Sequence, residues 1–164
     1  MKWFKTLRRV RPKSFIRLVG LALWHPLYLI PTFLATKNCM AVATEQYGFA
    51  HYRNGPANAF RHAYWNFLIA FRCWRWRPNK DRALRWVKAI TDWHEDAFFS
   101  TDLARMMDEH NNEIGRLWAK KLELNDEDQA AAHFMEMAVQ SVLIDTDTDL
   151  EPLKYQMVHI HDET

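Results

Sequence analysis

Apolar side chains recur at helical spacing along most of the chain. The segment from Asn58 to Arg77 carries apolar residues on two opposite faces, which predicts a helix that is buried on most sides. The segments 81–99, 102–122 and 126–144 each carry one apolar stripe, which is typical of helices that cover a core with a single face. Because sustained strand alternation is missing, we predict an all-α fold, an irregular or orthogonal bundle around the central buried helix 58–77.

Three histidines lie on the inner faces of three different predicted helices. His62, His94 and His110 each occupy or border an apolar stripe. Asn58 and Asn66 lie four residues before and after His62, so the three side chains form one row along the helix. Buried polar groups require hydrogen-bonding partners. The spacing therefore predicts a buried polar site between the helices.

The residue types of this site are those used for proton transfer and metal binding. Imidazole and carboxylate groups exchange protons or bind divalent metals, and a guanidinium stabilises developing negative charge. The candidate catalytic residues are Arg61, His62, His94 and Glu95. The candidate ligands of a divalent metal such as zinc are His62, His94, Asp108 and His110. The candidate supporting residues are Asn58, Asn66, Asn111, Asn112 and Gly115.

Several common motifs are missing from the sequence. It contains no HExxH or CxxC spacing, so the ligands of a metal would have to come from separate helices. It also contains no glycine-rich phosphate loop and no Gly-x-Ser-x-Gly elbow, so it gives no support to classical nucleotide binding or serine hydrolysis. Gly115 within a predicted helix costs about 1 kcal/mol relative to alanine, which predicts a close approach by another group.

Charge is distributed unevenly along the chain. Residues 1–44 contain eight Lys or Arg and no acid, whereas residues 45–164 contain fourteen basic and twenty acidic residues, a net charge of −6. The basic stretch leads into the uncharged apolar segment 18–36, which His25, Pro26 and Pro31 interrupt. We therefore predict an interfacial, membrane-facing arm over residues 1–44, a helical domain carrying the site over 45–144, and an acidic, solvated tail over 145–164. The weak alternation from Tyr155 to His161 is compatible with a short strand within that tail.

Two alternatives for the N-terminal arm remain open. Ala41-Val42-Ala43 matches a signal-peptidase site, although it lies far beyond the apolar stretch. The segment 18–33 is also compatible with a pair of helices that simply covers the core. Binding of nucleic acid is disfavoured, because the main domain is acidic and its aromatic residues fall on core stripes.

Three motifs carry a resemblance to a known family. They are GPANAFRHAYWNFLIA (55–70), TDWHEDA (91–97) and MDEHNNEIGR (107–116), in that order. The chain resembles small helical bacterial domains of uncharacterised function, some of which stand at the C-termini of secreted or polymorphic-toxin proteins. Their pattern is Asp-Ala-x-Arg-His-x-x-Trp, then His-Glu, then Met-Asp-x-His-Asn-Asn-x-x-Gly-Arg. Asn58 stands where the pattern has its first aspartate, and the resemblance implies a shared helical site without an established reaction.

Two hypotheses about function follow. In the first, the chain is a membrane-associated hydrolase of envelope, lipid or phosphodiester substrates, in which a histidine acts as general base and Arg61 stabilises negative charge, with or without a metal. Its expected location is a bacterial inner membrane, and its expected partner is the anionic membrane surface. In the second, the chain is a non-catalytic membrane-associated protein whose buried polar network fixes the register of its helices. A site that is closed to solvent and fully hydrogen-bonded would favour the second hypothesis, the non-catalytic protein.

Overall fold

The computed structural model describes residues 12–98, 100–121 and 126–161. These residues form six α-helices and one short parallel pair of strands. The helices are α1 (Pro12–Trp24), α2 (Pro26–Tyr47), α3 (Pro56–Trp76), α4 (Lys80–Ala97), α5 (Asp102–Lys121) and α6 (Glu127–Val139), and the strands are β1 (Val142–Leu143) and β2 (Val158–His159). The predicted all-α bundle is confirmed.

Helix α3 lies at the centre of the bundle and contacts α2, α4, α5, α6 and β2. It begins with Pro56, whose fixed φ suits the first helical position, and it ends at Trp76, shortly before Pro78. Phe67 on one face and Ile69 on the other are both almost fully buried. Only a central position buries two opposite apolar faces, so the predicted role of this helix is confirmed.

Helices α1 and α2 meet at His25 with a bend of 115°. One face of α2 packs on α3 through the small residues Ala35, Cys39 and Ala43, which are buried. The predicted domain boundary at residue 44 falls inside this helix. Within the described residues, no single helix is long and apolar enough to cross a membrane, and α1 and α2 satisfy that test of length and composition only as a bent pair.

The sequence predicts a solvated C-terminal tail, but in the structure part of this segment packs against the helices. Helix α6 ends at Val139, before the predicted residue 144, because the chain turns into β1 and its backbone N–H groups at Val142 and Ile144 donate to the carbonyls of Met157 and His159. Apolar side chains of this segment are buried, namely Met157, Val158 and Ile160. The acidic positions between the two strands are exposed.

Gly115 marks the closest approach of α5 to α3. A Cβ atom at this position would lie 2.1 Å from the carbonyl oxygen of Ala63 and 2.8 Å from Cβ of Asn66. Because the first of these atoms belongs to a helix backbone, it cannot move aside without separating the two helices. The close approach predicted from the sequence is confirmed.

We expect Gly115→Ala to destabilise the protein by roughly 1–3 kcal/mol, because overpacking against a backbone outweighs the gain in helix propensity. Gly20 in α1 provides the matched control, since a Cβ there would meet no atom within 4 Å. Gly20→Ala should leave stability unchanged or raise it by up to about 1 kcal/mol. Urea unfolding of the two variants measures the difference, and equal stabilities would contradict the packing described for Gly115.

Candidate functional site

A polar cluster fills the interface between α3, α4 and α5. Its buried members are side chains that usually lie at protein surfaces, including His62, Glu95 and Asn112, with exposed fractions of 2%, 5% and 2%. The other buried polar members are Asn66, Thr91 and Arg116. Groups of this kind are stable in a protein interior only when they satisfy one another.

Asn66 is the hub of this cluster. Its Nδ2 donates to Asn112 Oδ1 at 2.6 Å and to the carbonyl oxygen of His62 at 3.0 Å. Its Oδ1 accepts from Arg116 Nη1 at 3.1 Å and from Thr91 Oγ1 at 3.2 Å. One amide thereby joins all three helices, and both of its polar atoms are satisfied.

The hydrogen-bond chain assigns the tautomer of His62. Arg116 can only donate, so the oxygen of Asn66 must face it and the nitrogen of Asn66 must face Asn112. Asn112 then presents its oxygen to Asn66 and to Nδ1 of His62 at 3.1 Å, while its nitrogen donates to Glu95 Oε1 at 2.9 Å. Nδ1 of His62 therefore carries the hydrogen, and the lone pair on Nε2 accepts from the Arg61 guanidinium.

The lone pair of His62 faces two groups that transfer or stabilise charge. Arg61 Nη2 lies 2.7 Å from Nε2, and Asp108 Oδ1 lies 3.3 Å from it. Asn58 accepts from Arg61 at 3.3 Å and donates to the carbonyl oxygen of Arg53, which fixes the guanidinium beside the imidazole. Asp108 Oδ1 is buried and has no hydrogen-bond partner among the described residues.

Burial controls the protonation of the cluster. It raises the pKa of Asp108 to about 8, with a smaller contribution from the nearby Glu95 carboxylate. It also raises the pKa of Glu95 to about 7, which the hydrogen bond from Asn112 partly offsets. The pKa of His62 is held well below its ordinary value by burial and then by the Arg61 cation. Near neutral pH the imidazole is therefore neutral and Asp108 retains its proton.

These pKa shifts predict how stability depends on pH. Between about pH 7.5 and 8.5, His62 and His94 are neutral in the folded state and almost wholly neutral in the unfolded state, whereas Asp108 and, to a smaller extent, Glu95 hold more protons in the folded state, since their folded pKa values of about 8 and 7 exceed the unfolded ones. The free energy of unfolding should therefore fall as pH rises through this window, by up to about 1.4 kcal/mol per pH unit for each carboxyl. Urea titrations at three pH values test this, and a rise in stability would contradict it.

His94 lies beside the cluster, outside its hydrogen-bond chain. Its half-buried ring packs against Trp65 and Phe98, with ring centroids 5.1 and 4.7 Å away. Burial, followed by the Arg61 cation, lowers its pKa to about 4. The apolar pattern predicts an inward position for His94, and the structure buries its neighbour Glu95 more deeply. The reason is the hydrogen bond from Asn112, which draws Glu95 inward.

His110 and Asn111 hold the C-terminal segment. The Nε2 atom of His110 lies 2.9 Å from the carbonyl oxygen of Gln156. The side-chain amide of Asn111 donates to the carbonyl of Val158 at 2.8 Å and accepts from its N–H at 3.0 Å, so it pairs with β2 as a neighbouring strand would. Across the described part of the chain, no three or more His, Cys, Asp or Glu residues are arranged to hold a metal ion.

Two members of the cluster, Thr91 and Arg116, were not among the residues that the sequence singled out. Thr91 lies one helical turn before Glu95, and Arg116 lies one turn after Asn112. Both positions therefore fall on the faces already identified, and that spacing was the signal available. Arg116 is also held by Glu113, which accepts at 2.5 Å from Nη2.

The cluster approaches solvent at one edge, where Arg61, His94 and Asp108 are half-buried. The exposed ring of Tyr52 lies there, with its centroid 6.0 Å from the Arg61 guanidinium. Two open clefts, of about 420 and 630 Å³, lie elsewhere and are lined by other residues. Access to His62 in this conformation therefore depends on displacement of the Arg61 side chain.

The model of one protein family, described as a domain of unknown function (DUF6973), matches residues 19–142. This match covers most of the chain, including all three motifs, and the chain belongs to this family. No curated protein and no solved structure matches the chain.

Proposed function

We propose that this member of the DUF6973 family is a hydrolase of lipid-ester or phosphodiester substrates that transfers protons through His62 and Asp108. One observation carries the proposal: a buried carboxyl oxygen without a hydrogen-bond partner among the described residues lies 3.3 Å from Nε2 of a neutral imidazole, and the lone pair on that nitrogen accepts from a guanidinium. Strongly shifted pKa values in a compact polar cluster are typical of catalytic groups. Asp108 and His62 have shifts of opposite direction, which separates an acid from a base.

The roles of the three side chains follow from their protonation. Neutral His62 accepts a proton from water at Nε2 as the water oxygen bonds to the phosphorus or acyl carbon of the substrate. Asp108 donates its proton to the departing alkoxide, which leaves as an alcohol. Arg61 binds the anionic oxygen that develops on the reacting centre. Because an anionic substrate attracts the guanidinium toward the solvent edge, its binding would uncover Nε2.

The proposal places the enzyme at an anionic membrane surface, and in particular at a bacterial inner membrane. The support is the basic, acid-free N-terminal sequence followed by helices with an exposed apolar face. Residues 1–11, which carry five of these basic side chains, lie outside the described residues. Substrates drawn from that membrane would match the location.

A second candidate, a non-catalytic protein with a structural polar network, has its own support. Asn66 is fully hydrogen-bonded, and Asn112 and the Nδ1 side of His62 are bonded as well. Saturated networks of this kind specify which helices pack together and in which register. The unpartnered oxygen of Asp108 is the feature that this candidate leaves unexplained.

The deciding experiment is a hydrolysis assay of the purified full chain. Bis(p-nitrophenyl) phosphate reports phosphodiester cleavage, a p-nitrophenyl acyl ester reports ester cleavage, and vesicles containing phosphatidylglycerol report action on phospholipid. Turnover of any of them that is lost in Asp108→Asn supports the hydrolase. Turnover that persists in that variant would overturn the role proposed for Asp108. No turnover of any of these substrates by the wild-type chain would favour the structural network.

A further inference from the structure

The outer face of the α1 and α2 pair is an exposed apolar surface. Leu23, Trp24 and Ile30 are 75%, 82% and 59% exposed, and Phe33 and Leu34 continue the surface along α2. No charged residue interrupts the chain from 18 to 36. Surfaces of this kind mark contacts with a membrane or a partner.

A charged cleft opens beside this surface at the elbow between α1 and α2. It has a volume of about 420 Å³, and Trp24, His25 and Leu27 line one side of it. Arg77 and Arg82, from the turn between α3 and α4 and the first turn of α4, line the other side. Among the residues that the structure describes, neither arginine forms an ion pair with a carboxylate.

The cleft has further features of an anion site. Both α2 and α4 begin at its rim, and the N-terminal ends of helices favour negative charge. The Nδ1 atom of His25 is buried and has no hydrogen-bond partner within the part of the chain that the structure describes, while its ring centroid lies 5.3 Å from that of Trp86. Guanidinium groups bind phosphate oxygens through paired N–H donors.

We propose that this elbow cleft binds the phosphate of an anionic phospholipid, with Arg77 and Arg82 as its ligands, while the apolar face of α1 and α2 inserts among the acyl chains. A headgroup in the cleft places the acyl chains of the same lipid beside Leu27 and Ile30, so one molecule satisfies both surfaces. The inference rests on the membrane association proposed above, and it adds a specific headgroup site to it.

Vesicle co-sedimentation of the full chain tests this proposal. Two vesicle types are compared: phosphatidylcholine alone, and phosphatidylcholine mixed with phosphatidylglycerol in about equal amounts. We expect the wild-type chain to bind the mixed vesicles more tightly, and Arg77→Gln/Arg82→Gln to lose roughly 30-fold in affinity for them. The control Lys88→Gln/Lys154→Gln removes two exposed charges elsewhere, and it should bind as the wild type does.

The outcomes of this experiment separate membrane association from the headgroup site. If the wild-type chain binds neither vesicle, the membrane association itself fails; if the arginine variant binds mixed vesicles as the wild type does, only the headgroup site fails. Displacement by dissolved glycerol phosphate at the concentration of vesicle lipid would point to a free phosphate ligand and would overturn the proposal. Leu23→Ser/Ile30→Ser should bind both vesicles weakly. A dimer in analytical ultracentrifugation that this variant dissociates would instead assign the face to a second copy of the chain.

Discussion

Asn66→Ala is expected to lower the free energy of unfolding by about 3 kcal/mol, one of the largest losses available in this chain. The substitution removes both ends of the hub amide. Arg116 and Thr91 lose their acceptor, and Asn112 loses one of its donors. A buried polar group left without a partner costs roughly 1–3 kcal/mol, and a charged one costs more. Arg116 retains Glu113, which limits the loss.

Asn38→Ala is the matched control for this prediction. Its amide makes one half-buried hydrogen bond, to Glu127 at 2.9 Å, so its removal should cost about 1 kcal/mol. Urea unfolding of the two alanine variants gives the comparison. If Asn66→Ala is no less stable than Asn38→Ala, the network does not hold α3, α4 and α5 together.

The spacing of apolar residues predicted the helices well because each stripe repeats over several turns. The two apolar faces of the segment predicted the buried helix α3. The glycine at position 115, which is unfavourable within a helix, predicted the close approach there. The weak alternation from Tyr155 to His161 was compatible with a short strand, but β1 and its pairing with β2 were not predicted, because the pairing joins Val142 to Val158 across sixteen positions and each strand has only two residues. Patterns this short carry little periodicity.

The site was predicted only in part, because periodicity identifies inner faces but not the contacts made between helices. Periodicity identifies which residues border an inner face, and it brought His62, Glu95 and Asp108 into consideration. It cannot decide between adjacent residues such as His94 and Glu95, which lie about 100° apart on a helix and both border the stripe. The hydrogen bond that Asn112 donates from another helix stabilises Glu95 in the buried position. His110 lies outside the cluster because its ring contacts the carbonyl oxygen of Gln156, which is far along the chain and could not be inferred from periodicity.

Asp108→Asn is expected to reduce kcat/KM for hydrolysis by about 10²- to 10⁴-fold, the usual contribution of a general acid. Asparagine preserves the shape of the protonated carboxyl and can donate to Nε2 of His62, but it cannot release a proton to a leaving group. Stability should be unchanged or higher. The carboxyl oxygen has no partner to lose, and its burial already disfavours ionisation.

Asp96→Asn controls for the loss of a carboxyl group near the site. Asp96 lies one residue beyond Glu95, on the exposed side of α4, where it accepts from Arg17 and Arg105 at 2.6 Å. Exposed ion pairs contribute about 0–1 kcal/mol, so this variant should be slightly less stable and fully active. Asp108→Asn is thus expected to lose activity and keep its stability, whereas Asp96→Asn is expected to keep its activity and lose a little stability.

We propose that His62 and Asp108 form a proton-transfer site and that their cluster is more than a structural support. The most direct test of this claim is the measurement of kcat/KM together with the free energy of unfolding, on the same preparations of wild-type and Asp108→Asn protein. We predict that the variant loses at least about a hundredfold in kcat/KM and keeps its stability. A variant that loses stability by about 1–3 kcal/mol while its hydrolytic rate stays unchanged would contradict the claim.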